Sequence, residues 1–145
     1  MNKERFLQVI RSYCLYSEID GLPILYWYPL NKVKAGISIV AYNLEEIYKD
    51  NKIGQIENVL KKCDIEKVSV ITNQYSKNTP EELNLVERVY EQEAEGYTFP
   101  WYVECYYYDE TKSWMIYVSH EGTITFTGEE IVRIAKSTID SKYLV

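Results

Sequence analysis

Side-chain chemistry needs an activated nucleophile, a general base, a metal cluster or a phosphate cradle, and this 145-residue chain combines few of the residues required. Nucleophilic catalysis requires a thiol or hydroxyl beside a positioned base. His120 is the one histidine, so a cysteine–histidine site must join it to Cys14, Cys63 or Cys105. Cys105 shares strand parity with Val103, while Cys14 and Cys63 fall on apolar helix stripes, where a thiol acts as a small hydrophobe. No nucleophile elbow occurs. Three widely spaced thiols suit neither a disulfide framework nor a zinc knuckle, and they fit a reducing compartment. One histidine among scattered carboxylates supplies no ligand pair at metal-site spacing. The six glycines form no phosphate-binding loop. The expectation is a protein with no catalytic residue, no metal and no cofactor.

Carboxylates are abundant but unevenly placed. The net charge is −6, yet segment 81–110 carries nine acids against Arg88 alone, which is −8 and leaves +2 for the rest of the chain. Such a distribution disfavours nucleic acid or an anionic membrane as partner, since both are polyanions, and favours a basic protein. At helical spacing Glu87, Glu91 and Glu95 form an i, i+4, i+8 stripe. Like charges so placed repel by a few tenths of a kcal/mol per pair, so folding gains nothing from them. Their use is either solubility, as a solvated face, or binding.

The aromatic content is the second unusual feature. Fifteen tyrosines are about three times ordinary usage. In the strand-like runs after residue 100, Val103, Cys105, Ile116, Val118, Ile124 and Phe126 share one parity and suit an inner face. Tyr102, Glu104, Tyr106, Tyr108 and Tyr117 then face the other way. Tyrosine offers a large contact area at low entropic cost, so this second face reads as a partner-binding surface together with Glu87, Glu91 and Glu95. The competing reading is that a helix covers it.

These residues must be positioned by elements that the apolar periodicity delimits. A helix is expected over 2–19, ended by Asp20-Gly21-Leu22-Pro23, followed by strands over 24–28 and 36–42. A second helix is expected over 53–63 and a strand over 67–72. Thr79-Pro80-Glu81-Glu82 reads as a capping box with proline in the first turn, opening a helix that Gly96 stops after Glu95. Strands over 101–108, 113–119 and 123–126 form an antiparallel meander, and Thr127-Gly128-Glu129-Glu130 repeats the capping-box spacing before a last helix to Ile139.

The stretch Trp114-Met115-Ile116-Tyr117-Val118-Ser119-His120-Glu121-Gly122-Thr123-Ile124-Thr125-Phe126-Thr127-Gly128 resembles a segment of small bacterial immunity proteins, which neutralise contact-dependent and other polymorphic toxins. It shares an aromatic strand, Ser-His-Glu at a turn, and a Thr-rich strand closing on glycine. The resemblance covers about a tenth of the chain. It implies a cytoplasmic protein that binds one cognate toxin domain and blocks its active site. Contact surfaces vary within such families, so the motif transfers no contact residue, and His120 and Glu121 are expected to build the turn.

The fold class expected is α+β in a single domain over 1–145, with a mainly antiparallel sheet, a C-terminal three-stranded meander and helices on at least one face. Hydrophobic residues make up 46% of the chain, which excludes intrinsic disorder, and no apolar run approaches the ~18 residues of a membrane helix. The expected function is inhibition of a basic toxin domain, a nuclease for example. The alternative is a tyrosine-rich ligand-binding domain or single-domain enzyme.

Overall fold

The computed structural model describes residues 18–19, 22–23, 36–72, 81–85, 105–109 and 114–145. Two short strands, β1 (Glu18–Ile19) and β2 (Leu22–Pro23), pair with each other in antiparallel fashion. The main sheet has six strands: β3 (Ile39–Asn43), β4 (Lys67–Thr72), β5 (Glu81–Asn84), β6 (Cys105–Tyr108), β7 (Met115–Val118) and β8 (Thr123–Thr127). Their spatial order is β3-β8-β7-β6-β4-β5, and every neighbouring pair is antiparallel. The helices are α1 (Leu44–Lys49), α2 (Gly54–Lys62) and α3 (Glu129–Thr138), with a 3-10 turn at Ser141–Tyr143. The architecture is α+β, with strands β6, β7 and β8 as the meander.

Cross-strand register sorts the side chains into rows. Val40, Phe126, Ile116, Tyr107 and Val70 stand in one row, and Tyr42, Ile124, Val118 and Cys105 in the next. These residues share one core cluster with Ile56, Val59 and Leu60 of α2 and with Ile131, Ile134 and Ala135 of α3. Burying a side chain such as Ile56 or Phe126 contributes about 1.5–3 kcal/mol, so this helix-covered face is a large source of stability. The alternate rows hold Thr127, Met115, Tyr108 and Ser69, and Ala41, Thr125, Tyr117 and Tyr106. All of these are buried as well. A sheet buried on both faces reads as a near-continuous apolar run, which is the sense of Cys-Tyr-Tyr-Tyr in β6.

Several sequence expectations need correction. Glu18 and Ile19 belong to a strand and not to the end of a helix. Glu81 and Glu82 do not open a helix either, because β5 pairs antiparallel with β4, Ser69 facing Glu82 and Val70 facing Glu81. Helix propensity is a weak prior, and the main-chain donors and acceptors along β4 require a partner strand. Thr127 ends β8 and does not cap α3. Its hydroxyl donates to the Met115 carbonyl at 3.1 Å, and the capping position falls on Gly128, with φ of +122° and no side-chain cap. Helix α1 was not expected, although Asn43 caps it by accepting from the Glu46 N–H at 3.0 Å. The expected helix over 2–17, the strand over 24–28 and residues 86–95 lie outside the described residues.

Candidate functional site

An acid-lined cleft of about 280 Å³ opens where the end of α2, the start of β4, the β6–β7 end of the sheet and the first turn of α3 converge. Ile65, Trp114 and Ile131 are buried and form its floor. Among the described residues, Asp64, Glu66, Asp109 and Glu130 surround it, against Lys67 as the one lining cation.

Local chain geometry places these carboxylates. Helix α2 ends in a Schellman motif: the Ile65 N–H donates to the Leu60 carbonyl at 3.0 Å, and the Asp64 N–H to the Lys61 carbonyl at 3.0 Å. Asp64 occupies the left-handed position of that motif, with φ of +55°. Aspartate tolerates this conformation better than most side chains, and here it also sets a carboxylate at the cleft mouth. The same motif ends α1, with Asn51 at φ of +58°. Ile65 and Leu60 then join the core, which fixes the exit angle of the chain into β4.

Among the described residues the cleft assembles no activated nucleophile. Burial, followed by the Glu130 carboxylate, pushes the Cys63 thiol up to about 11, so it stays protonated at neutral pH. Cys105 is buried in the core. His120 lies beyond the opposite end of β7 from Trp114, roughly 15–20 Å along the strand at ~3.3 Å per residue. It is a turn residue. The Gly122 N–H donates to the Ser119 carbonyl at 3.2 Å, and the Ser119 hydroxyl lies 2.7 Å from that of Thr123. His120 and Glu121 fill the two central positions and approach each other at 3.1 Å on the exposed surface. Ser-His-Glu-Gly is therefore accounted for as turn architecture, with serine at the first position and glycine at the fourth, as a type I turn favours.

The described lining of the cleft is predominantly acidic. The cleft's volume lies at the lower end of the ~300–1,000 Å³ usual for small-molecule pockets, a size that one long basic side chain also fills. A more open depression of about 470 Å³ along α3 sets Glu129 and Glu130 against Arg133 and Lys136 and so has no selective sign. Among the described residues no group of three or more potential ligands could hold a metal ion, and no helix is long and apolar enough to cross a membrane.

Of the residues expected to bind a partner, those the structure describes are interior. Tyr106, Tyr108 and Tyr117 have no accessible surface, and the rings of Tyr106 and Tyr117 pack at 5.1 Å between centroids. This corrects the open tyrosine face: at these three positions the sheet is interior on both sides. Glu87, Glu91, Glu95, Tyr102 and Glu104 lie outside the described residues. Sequence reasoning missed the cleft because its carboxylates come from three separate segments, around Asp64 and Glu66, at Asp109 and at Glu130, of which only Asp109 belongs to the acid-rich stretch. It also missed Glu57, fully buried in the first turn of α2, where the helix N-terminus favours a negative charge.

Comparison with known protein families, curated proteins and solved structures finds no match.

Proposed function

We propose that this protein works by binding, as an immunity-type inhibitor of a basic toxin domain, and that the acid-lined cleft above Trp114 receives a basic side chain of that partner. The observation that carries the reading is the cleft itself: among its described lining residues, four carboxylates stand against one lysine around an apolar floor. The excess of acid over 81–110 supports it, since a surface of one sign steers an oppositely charged partner and raises the association rate. The immunity-like stretch 114–128 begins at the tryptophan of the cleft floor, which adds support of a different kind. With Tyr106, Tyr108 and Tyr117 buried, a tyrosine-lined ligand pocket has less to recommend it than the cleft does.

The test is capture from a lysate of the native organism, identification by mass spectrometry, and co-expression of the captured domain with this protein in a heterologous host. The reading expects a basic domain that arrests growth alone and is neutralised by co-expression. Capture of an acidic protein, or growth arrest that co-expression leaves unchanged, contradicts it.

A further inference from the structure

The two edges of the main sheet are built differently. Edge strands present unpaired main-chain groups to any other strand, and proteins blunt them with charges or cover them. The β5 edge carries Glu81 and Glu82 in sequence. Strand β3, at the other edge among the described residues, lies in the stretch Ile37-Ser38-Ile39-Val40-Ala41-Tyr42-Asn43, which has no charge, no proline and no glycine. Segments of this kind pair readily with their own copies.

Residues 140–145 lie along that edge. Leu144 bridges Tyr42 in antiparallel sense, and the Val145 N–H donates to the Ala41 carbonyl at 3.1 Å. By the alternation of antiparallel strands, Ile39, Ala41 and Asn43 direct their main-chain groups to this outer side. The strap is thin, with Leu144 and Val145 about half exposed, so pairing alone holds it weakly. A polar lock at its base does more. The Tyr143 hydroxyl donates to Asp50 Oδ2 at 2.8 Å, Lys142 Nζ approaches the same oxygen at 3.3 Å, and the Asp140 N–H donates to Gln55 Oε1 at 3.0 Å. Tyr143 itself is buried.

We infer that residues 140–145 are an edge guard, locked by Asp50, whose displacement frees β3 to pair with β3 of a second copy. An isologous two-fold pairing of identical antiparallel edges needs no further partner. This inference is independent of the toxin-binding proposal.

The test compares the mass in solution, by analytical ultracentrifugation, of the wild type, Tyr143→Phe/Val145→Pro, and the same double variant carrying Ile39→Lys. The proline removes the donor to Ala41, and Leu144, with ψ of 137°, already has a conformation compatible with a following proline. The expected result is a monomeric wild type, a double variant of twice the mass, and return to monomer when the lysine charges the bared edge. Val145→Pro alone, at an exposed residue, is read in the same way if the double variant does not fold. A variant that folds and stays monomeric, a wild type that is already dimeric, or a dimer that Ile39→Lys leaves intact overturns the inference.

Discussion

Replacing Gly122 with alanine tests how the turn before β8 is tied to helix α1. Gly122 has φ of +79°, and its carbonyl accepts the Leu44 N–H at 2.8 Å and the Glu45 N–H at 3.2 Å. Those two donors are among the first N–H groups of α1, which no intrahelical carbonyl can satisfy. The turn therefore cannot relax its φ without releasing the helix start. An L-residue in the left-handed region costs about 1–2 kcal/mol, and alanine there destabilises by more than the ~0.4–1 kcal/mol it gains by restricting the unfolded chain. A β-carbon at this position also meets Glu45 Oε2 at 3.1 Å and Glu45 Cβ at 3.3 Å. At about 2–4 °C per kcal/mol for a chain of this size, Gly122→Ala should lower Tm by several degrees. Gly36→Ala is the control, because Gly36 has φ of +85° with nothing within 4 Å of the added carbon and reports the backbone cost alone. Thermal and urea melts of both variants, and of Gly122→Ala/Glu45→Ala, separate backbone from crowding. The double variant should recover part of the excess of Gly122→Ala over Gly36→Ala, because alanine at 45 removes the contact at Oε2 and keeps the one at Cβ. An unchanged midpoint for Gly122→Ala would refute the reasoning outright.

Three further outcomes follow from the same geometry. Thr127→Val should cost about 0.5–1.5 kcal/mol by losing the hydroxyl bond to Met115, and Thr127→Asp, a good helix cap, should cost more because it buries a carboxylate; a stabilising Thr127→Asp in urea melts would restore the capping role. Asp64→Gly should be tolerated while Asp64→Val costs about 1–2 kcal/mol at the left-handed position, and equal melting midpoints for the two would contradict the Schellman assignment. The polar lock of the strap should hold across neutral pH and loosen at both extremes. The hydrogen bond from Tyr143, with help from Lys142, holds the Asp50 carboxyl below its ordinary 3.8, so its contribution is complete above that value and lost as pH falls through the folded one. Burial, then the bond to Asp50, raises the Tyr143 hydroxyl above 10.0, so its contribution is complete below that value and lost as pH rises through the folded one. In 13C NMR titrations the Asp50 carboxyl carbon should titrate below 3.8 and the Tyr143 Cζ above 10.0; a midpoint on the ordinary side of either value counts against the lock.

Periodicity and turn chemistry carried much of this fold. Strand β4 was legible to the residue, because Lys67–Thr72 alternates between a helix end and a polar stretch. The order of the meander and helix α3 were legible for similar reasons, and strand parity correctly grouped Cys105, Ile116, Val118, Ile124 and Phe126 on one face. Parity alone could not tell that the opposite face is buried too. The clue was Cys-Tyr-Tyr-Tyr beside Met-Ile-Tyr-Val, runs whose two parities are almost equally apolar. Helix α1 went unseen because its cap, Asn43, is also the last residue of a strand, and six residues show too little periodicity to stand out. At Glu81–Asn84 the reverse happened: strong local helix signals gave way to the requirement of β4 for a second partner. The cleft was the least legible feature, since no local pattern reveals that Asp64, Glu66, Asp109 and Glu130 converge on Trp114.

The most direct test of the binding account is a titration of the captured partner against wild type and against Glu66→Lys/Glu130→Lys at low and high salt. Both glutamates are exposed at the cleft, so the double reversal should cost little stability beyond the ~0.3–1 kcal/mol of placing a cation in the first turn of α3. The account predicts tight wild-type binding that weakens as salt screens the charges, and a variant whose affinity falls at least tenfold at low salt, chiefly through slower association. Equal affinities for the two proteins at both salt concentrations would contradict it.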